Sequence, residues 1–420
     1  MLDADPISTP IELDPRIADF AMGDFTKSEY VARARALVPV LRERSQEQWG
    51  VNRLMDKTAA LMHEAGIFRM LQPKRFGGGE TSPIEWLETI STLAEGDPSV
   101  AWTTGVLGIH SFHLAHFSEQ AQQDVWGANE HALLSSPYAP NPVKKVDGGF
   151  LVSGVWKFAT GVHHCAYAVI GGSVYDRELQ PGDDRMRTGD FRAFLVARDQ
   201  FTIGENWDVS GMRGTGSHDI IVDNVFVPEH RTLPFRHVTM GTTPGRLVNP
   251  GILYQLPFWQ VLGRITTSPV PLGALKSMAD QFCERARSRV NLRGQRTAED
   301  PVATLAVANA YSAIDEIKGN CYRNLGRLMK AVANGGTLPL AERMMFRYQT
   351  SSATYRVAEL ALALFKACGA SGIYSDQPYG RLLNDIVAVT GHASNQHQGN
   401  ANALAGLLMG LSVEQVDPRA

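Results

Sequence analysis

The stretch GMRGTGSHDIIVDNVFVP (Gly211–Pro228) joins a glycine-rich turn to a run of β-branched and aromatic residues. Its glycines do not have the G-x-G-x-x-G spacing of a dinucleotide-binding turn, and the segment leads into a strand pattern rather than a helix. It therefore predicts a tight turn followed by a strand. The neighbouring segments have the same texture: GGFLVSGVWKFATG (Gly148–Gly161), CAYAVIGGSV (Cys165–Val174), FRAFLVA (Phe191–Ala197) and FTIGENWDV (Phe201–Val209). Short apolar runs broken by glycine read as an antiparallel sheet unit. Asp147-Gly148-Gly149 supplies a hairpin-type turn within it.

Helical periodicity takes over on both sides of this unit. Val31, Ala34, Val38 and Leu41 recur at helical spacing, and so do Met55, Ala59 and Met62. Pro39 falls inside the first run and predicts a kink. Ser82 followed by Pro83 has the form of a helix start, and another apolar helix is expected from about Val100 to Phe117. Beyond about Pro250, helices are expected over 264–290, 302–334, 339–369 and 380–411. The layout predicts an α+β protein with a helical unit over 1–134, a β unit over 135–245 and a four-helix bundle over 246–420.

A net charge of −3 gives no basic surface for nucleic acid. The four cysteines form no C-x-x-C pair, and no run reaches the roughly 20 apolar residues of a membrane span. A cytoplasmic enzyme is expected. There is no Walker motif.

In order and content, these segments resemble the acyl-CoA dehydrogenase fold. AGIFRMLQPKRFGG (Ala65–Gly78) is similar to that family's first helix-to-loop passage. AEGDPSVAW (Ala94–Trp102) resembles its flavin monooxygenase branch, the oxygenase components of two-component aromatic hydroxylases. Gly148–Gly161 and Gly211–Pro228 resemble the two β segments beside the flavin. The dehydrogenases remove an α-proton with a glutamate that follows an Arg-Asp pair. The matching stretch here, NDIVAVTGHASNQHQGN (Asn384–Asn400), has no Asp or Glu after Asp385, and His392 stands within one residue of the expected base. An imidazole suits proton exchange with a phenol or a peroxide. The resemblance thus implies a monooxygenase acting through a C4a-hydroperoxyflavin, with His392 catalytic. N- or S-oxygenation (an amino sugar or a thiophene), or a dehydrogenase with a relocated base, are the alternatives.

The same resemblance places His110, with Ser136 or Ser135, on the polar group of a small aromatic substrate. It places Thr160 at flavin N5, Trp156 and Phe158 beside the ring, Ser217 and Arg213 on the second flavin-side turn, and Arg289 near the phosphate. Leu292-Arg293 and FKACGASGIYSD (Phe365–Asp376) depart from the pattern that holds FAD tightly. Reduced FMN or FAD (FMNH2 or FADH2), delivered by a separate NAD(P)H:flavin reductase and used with O2, is the cofactor implied. A homotetramer is the implied assembly. His110, His113 and His116 share helical spacing but lack a carboxylate or thiol partner, so no metal is expected, and His113 and His116 read as surface or cap residues. FWQVLGRITTSPVPLG (Phe258–Gly273) reads as a wall of the substrate pocket.

Overall fold

A computed structural model describes residues 11–175, 177–178, 180–183, 189–290 and 294–412. Leu292 and Arg293 lie outside the described residues. The first long helix, Glu29–Val51, has Pro39 inside it and is capped by Ser28, whose hydroxyl accepts the Val31 N–H. Ser82 caps Pro83–Ala94, and Asp97 caps Pro98–Leu114. In the last of these every residue except Val106 is buried, so this helix is the axis on which the other layers pack. Trp86 lies so close to Gly108 that a Cβ there would meet its ring at 2.2 Å.

The β region forms two sheets rather than one antiparallel unit. Strands β1 (Leu134–Ser135), β2 (Asn141–Pro142), β5 (Tyr167–Val174), β6 (Asp190–Ala197) and β9 (Thr232–Pro234) make one sheet, with β1 and β2 parallel to β5. Strands β3 (Lys144–Val146), β4 (Gly149–Ala159), β8 (His218–Pro228) and β7 (Thr202–Ile203) make the other, all antiparallel. Alternate residues of β4 and β8 face inward, so Phe150, Val152, Trp156, Ile220 and Val222 fill the space between the sheets with Ile170 and Phe194. The β4–β8 pairing slips between Trp156 and Ala159, and there Phe158 takes a left-handed φ of 67°.

Four helical runs were expected at the C-terminus, and two of them are broken. Ser268-Pro269 divides the first into Phe258–Thr267 and Pro269–Ala286. The helices Pro301–Ala333 and Leu340–Ala367 follow as expected. The last run divides into Pro378–Thr390 and His397–Leu408, and His392 sits in the break. Asn395 holds the break in place by donating to Val389 O at 2.7 Å.

Candidate active site

The Pro98–Leu114 helix lines up the groups singled out from the sequence. Near its start, the Trp102 ring meets His392 edge-on at 5.4 Å. In its middle, Thr103 and Leu107 pack so closely on Gly161 that a Cβ there would lie 2.8 Å from Thr103 Cγ2. Gly161 follows Thr160, so this approach seats the end of β4 against the helix. Further on, Ser136 Oγ lies 2.8 Å from His110 Nε2 and 3.2 Å from Nδ1. Ser135 Oγ donates to Thr160 O at 2.9 Å. Of the two serines considered for His110, Ser136 is therefore the partner, while Ser135 ties its strand to Thr160 at the end of β4.

Thr160 and Ser217 bring their hydroxyls to 2.9 Å, and Thr215 adds a third at 2.8 Å from Ser217. The turn bearing Ser217 is held from below: Met212 N–H donates to Asp385 Oδ1 at 2.5 Å, and Gln48 Nε2 donates to Gly214 O at 3.3 Å. Burial pushes the Asp385 carboxyl up to about 7 and that of Asp97 up to about 6, with Arg381 opposing both shifts. Asp97 lies near enough to Asp385 to raise its pKa further.

The remaining candidates divide. Phe158 is 67% exposed and faces Trp207 edge-on at 6.2 Å. Phe158, strained and open, lies two residues from Thr160, so this end of β4 offers an aromatic face and the hydroxyl cluster a polar edge to a flat ring. The site thus fits a flavin. Trp156, expected beside that ring, is instead core: it is fully buried and its indole N–H donates to Gly171 O at 2.7 Å. Strand alternation puts it on the face opposite its exposed neighbours. Arg213 bonds Asp208 and Val209 O and lies over Trp49, so its guanidinium serves the turn. Arg289 donates to Cys368 O at 2.6 Å, at the end of the Leu340–Ala367 helix.

His392 is exposed, yet desolvation by the protein around its imidazole pushes it down to about 4. Its Nδ1 accepts the Ser394 N–H at 3.2 Å, so the neutral ring carries its proton on Nε2. His113 and His116 are not surface or cap residues. Both are buried, His113 against the Tyr138 hydroxyl and His116 with Nδ1 2.8 Å from Thr243 Oγ1. The Phe258 ring packs on both, at 5.0 and 5.3 Å. Burial pushes His110 and His116 down to about 3 and His113 well down, so all three are neutral. The sequence reading missed Tyr138; its signal was the two-residue step from Ser136, which puts both side chains on one side of an extended segment.

One other cluster gathers possible metal ligands among the described residues, namely His163, Glu205 and His218. His163 Nε2 lies 2.8 Å from Glu205, but His218 Nδ1 accepts the Trp207 N–H. That polarity puts the His218 proton on Nε2, the nitrogen facing Glu205, so the cluster is hydrogen-bonded rather than preorganised for a cation.

Residues 265–397 match the model for the acyl-CoA dehydrogenase C-terminal domain. The oxygenase subunit HsaA of a flavin-dependent monooxygenase from Rhodococcus jostii (strain RHA1) is 34% identical over 86% of this chain and 94% of its own length. The chain belongs to the flavin-dependent monooxygenase family. It is an oxygenase component on the acyl-CoA dehydrogenase fold, dependent on flavin. The crystal structure of 3-HSA hydroxylase from Rhodococcus sp. RHA1 superposes with a TM-score of 0.85 at 32% identity, covering 93% of this chain and 98% of that one. The oxygenase component of an FADH2-dependent resorcinol hydroxylase from Rhizobium sp. (strain MTP-10005) is 29% identical over 91% of this chain and 94% of its length.

Proposed function

We propose that this monooxygenase hydroxylates a phenolic or related aromatic compound, taking reduced FMN or FAD from a separate NAD(P)H:flavin reductase. The observation that carries the reading is the His110–Ser136 pair. It is a polar contact of 2.8 Å between neutral groups, and it lies one residue from the Ser135–Thr160 link. Such a pair offers hydrogen bonds to an aromatic hydroxyl. The relatives named for resorcinol and p-hydroxyphenylacetate act on phenols, which supports the same class here.

The bound reduced flavin supplies the electrons and the place where O2 is activated. The chain's own residues do the rest. Thr160, Ser217 and Phe158 orient the ring system, with Arg289 offered for its phosphate. Arg213 shapes the turn. His110 and Ser136 align the substrate hydroxyl. His392 presents Nε2–H as a donor, so its role is to give a hydrogen bond to oxygen; the neutral ring has no proton to transfer. The missing carboxylate after Asp385 leaves no base for thioester chemistry in that segment.

Exposed Val302 and Leu305 on the Pro301–Ala333 helix, with Met345 and Leu362 on the next, support assembly through the C-terminal helices, read here as a homotetramer. Among the described residues no helix is long and apolar enough to cross a membrane, and a cytoplasmic site of action is part of the same reading.

The test supplies chemically reduced FMN or FAD and ¹⁸O₂ with a panel of phenols, amines and thioethers. One ¹⁸O on a phenol ring is the expected product. Exclusive N- or S-oxides would replace the reading, and no labelled product with any substrate would overturn it.

A further inference from the structure

Resting on the reading of Thr160 and Ser217 as flavin contacts, the hydrogen bonds behind them have a fixed direction. Met212 O is a carbonyl and only accepts. Thr215 Oγ1 lies 2.9 Å from it, so Thr215 gives its hydrogen to Met212. Ser217 Oγ is 2.8 Å from Thr215, whose one hydroxyl hydrogen is spent, so Ser217 donates to Thr215. Thr160 Oγ1 is 2.9 Å from Ser217, and by the same count Thr160 donates to Ser217. Three hydroxyls thus run one way, from Thr160 to the Met212 carbonyl.

The far end of this run is anchored. Met212 has a left-handed φ of 57°, and its N–H donates at 2.5 Å to Asp385 Oδ1 on the Pro378–Thr390 helix. Gly211 is pressed against the same helix, so closely that a Cβ there would lie 2.3 Å from Asn384 O. The Trp207 indole N–H also points at Met212 O, at 3.2 Å. The near end has no hydrogen left to give. Thr160 N–H donates to Phe158 O at 3.0 Å, and its hydroxyl hydrogen goes to Ser217. The Thr160 carbonyl is taken by Ser135. Among the described residues Ser217 is the only partner of Thr160 Oγ1, so the lone pairs of that oxygen are what Thr160 keeps for a ligand.

We propose that Thr215 is a positioning residue that, with the Met212 carbonyl, makes Thr160 Oγ1 a pure acceptor and so discriminates reduced from oxidised flavin. Reduced flavin carries a hydrogen on N5, and oxidised flavin does not. The reduced form fills the acceptor, whereas the oxidised form sets one lone pair against another. No bond breaks and no proton moves; the run sets which redox state the site holds.

The test measures dissociation constants for oxidised FMN and, without oxygen, for dithionite-reduced FMN. It compares wild type with Thr215→Val, Thr215→Ser, Ser217→Ala and Thr160→Ala. Wild type should hold the reduced form at least about tenfold more tightly than the oxidised form. Thr215→Val and Ser217→Ala each free the Thr160 hydrogen, so this ratio should fall about tenfold. That fall equals a drop of about 30 mV in the two-electron midpoint potential of the bound flavin, which dye equilibration reads independently. Thr215→Ser keeps the donor to Met212 and should keep the ratio. Thermal melting identifies any variant that fails to fold, and Ser217→Ala, which leaves the Thr215–Met212 bond intact, is the milder change. Equal wild-type constants for the two forms, or a ratio unchanged in Ser217→Ala, overturn the inference even if Thr160→Ala weakens the binding of both forms. If Thr160→Ala and Ser217→Ala leave both constants unchanged, the flavin does not meet these hydroxyls, and the reading of the site falls with the inference.

Discussion

Thr160 and Ser217, 57 residues apart in the chain, place their hydroxyls 2.9 Å from each other at the ends of the two paired strands β4 and β8. Each strand contributes one hydroxyl, and Ala159 pairs with His218 between them, so the contact follows from register. A one-residue slip would turn both side chains to the opposite face.

Removing either hydroxyl should loosen the flavin without unfolding the sheet. Thr160→Ala and Ser217→Ala are each expected to weaken reduced-flavin binding by about three- to tenfold, the worth of one buried hydrogen bond. More reducing equivalents should then be lost as hydrogen peroxide. The ratio of peroxide to hydroxylated product reads this directly, and an unchanged ratio in both variants would remove them from the flavin site.

Phe158 offers a contrasting case because its side chain is exposed and its backbone is left-handed. Replacing it with glycine relieves about 1 kcal/mol of backbone strain while deleting an aromatic surface. The melting temperature of Phe158→Gly should hold or rise as flavin affinity falls. A loss of both would mean that the ring is structural.

His392 is neutral across the physiological range because its pKa is pushed down to about 4. Hydroxylation should therefore show no His392-dependent inflection between pH 6 and 8. His392→Ala should lower product formation about tenfold, within the range of a lost hydrogen-bond donor. His392→Asn, whose amide can also donate, should retain more activity than alanine. Equal activity in all three proteins would end its catalytic assignment.

The buried histidines and the Asp97–Asp385 pair pull stability in opposite directions with pH. His110 and His116 at about 3 resist protons that the unfolded chain takes up near 6.5, so their contribution is lost as pH falls below about 6.5. Asp385 at about 7 holds a proton that its unfolded form releases near 3.8, so its contribution is lost as pH rises from about 4 to 7. Asp385→Asn keeps an acceptor for Met212 N–H and removes this second slope. Chemical denaturation from pH 5 to 7.5 should show the variant gaining on wild type as pH rises. Parallel curves would mean that Asp385 is already charged in the folded protein.

Much of the fold lay open in local pattern. Alternation and glycine turns marked β4 and β8, three-to-four-residue spacing marked the helices, and Ser82-Pro83 marked a helix start. The empty run after Asp385, with His392 in it, was a matter of composition and needed no structure to see. These features are local, and the chain expresses them within a few residues.

Other features were not legible because they depend on docking. Which serine meets His110 depends on how β1 lies against the Pro98–Leu114 helix. Trp156 and Phe158 look alike in a strand sequence, yet the slip after Trp156 sends one into the core and the other into solvent. His113 and His116 read as surface residues because their hydroxyl partners, Tyr138 and Thr243, lie 25 and 127 residues away. The last helical run read as continuous because Gly391 alone is a weak stop, and the Asn395 side chain folded back on Val389 O closes the break. The amino-acid order by itself thus determined the elements, their sequence and the loss of the carboxylate. The tertiary structure decided which buried polar groups face one another, because a buried donor takes whatever acceptor packing brings within 3 Å, however far away in the chain.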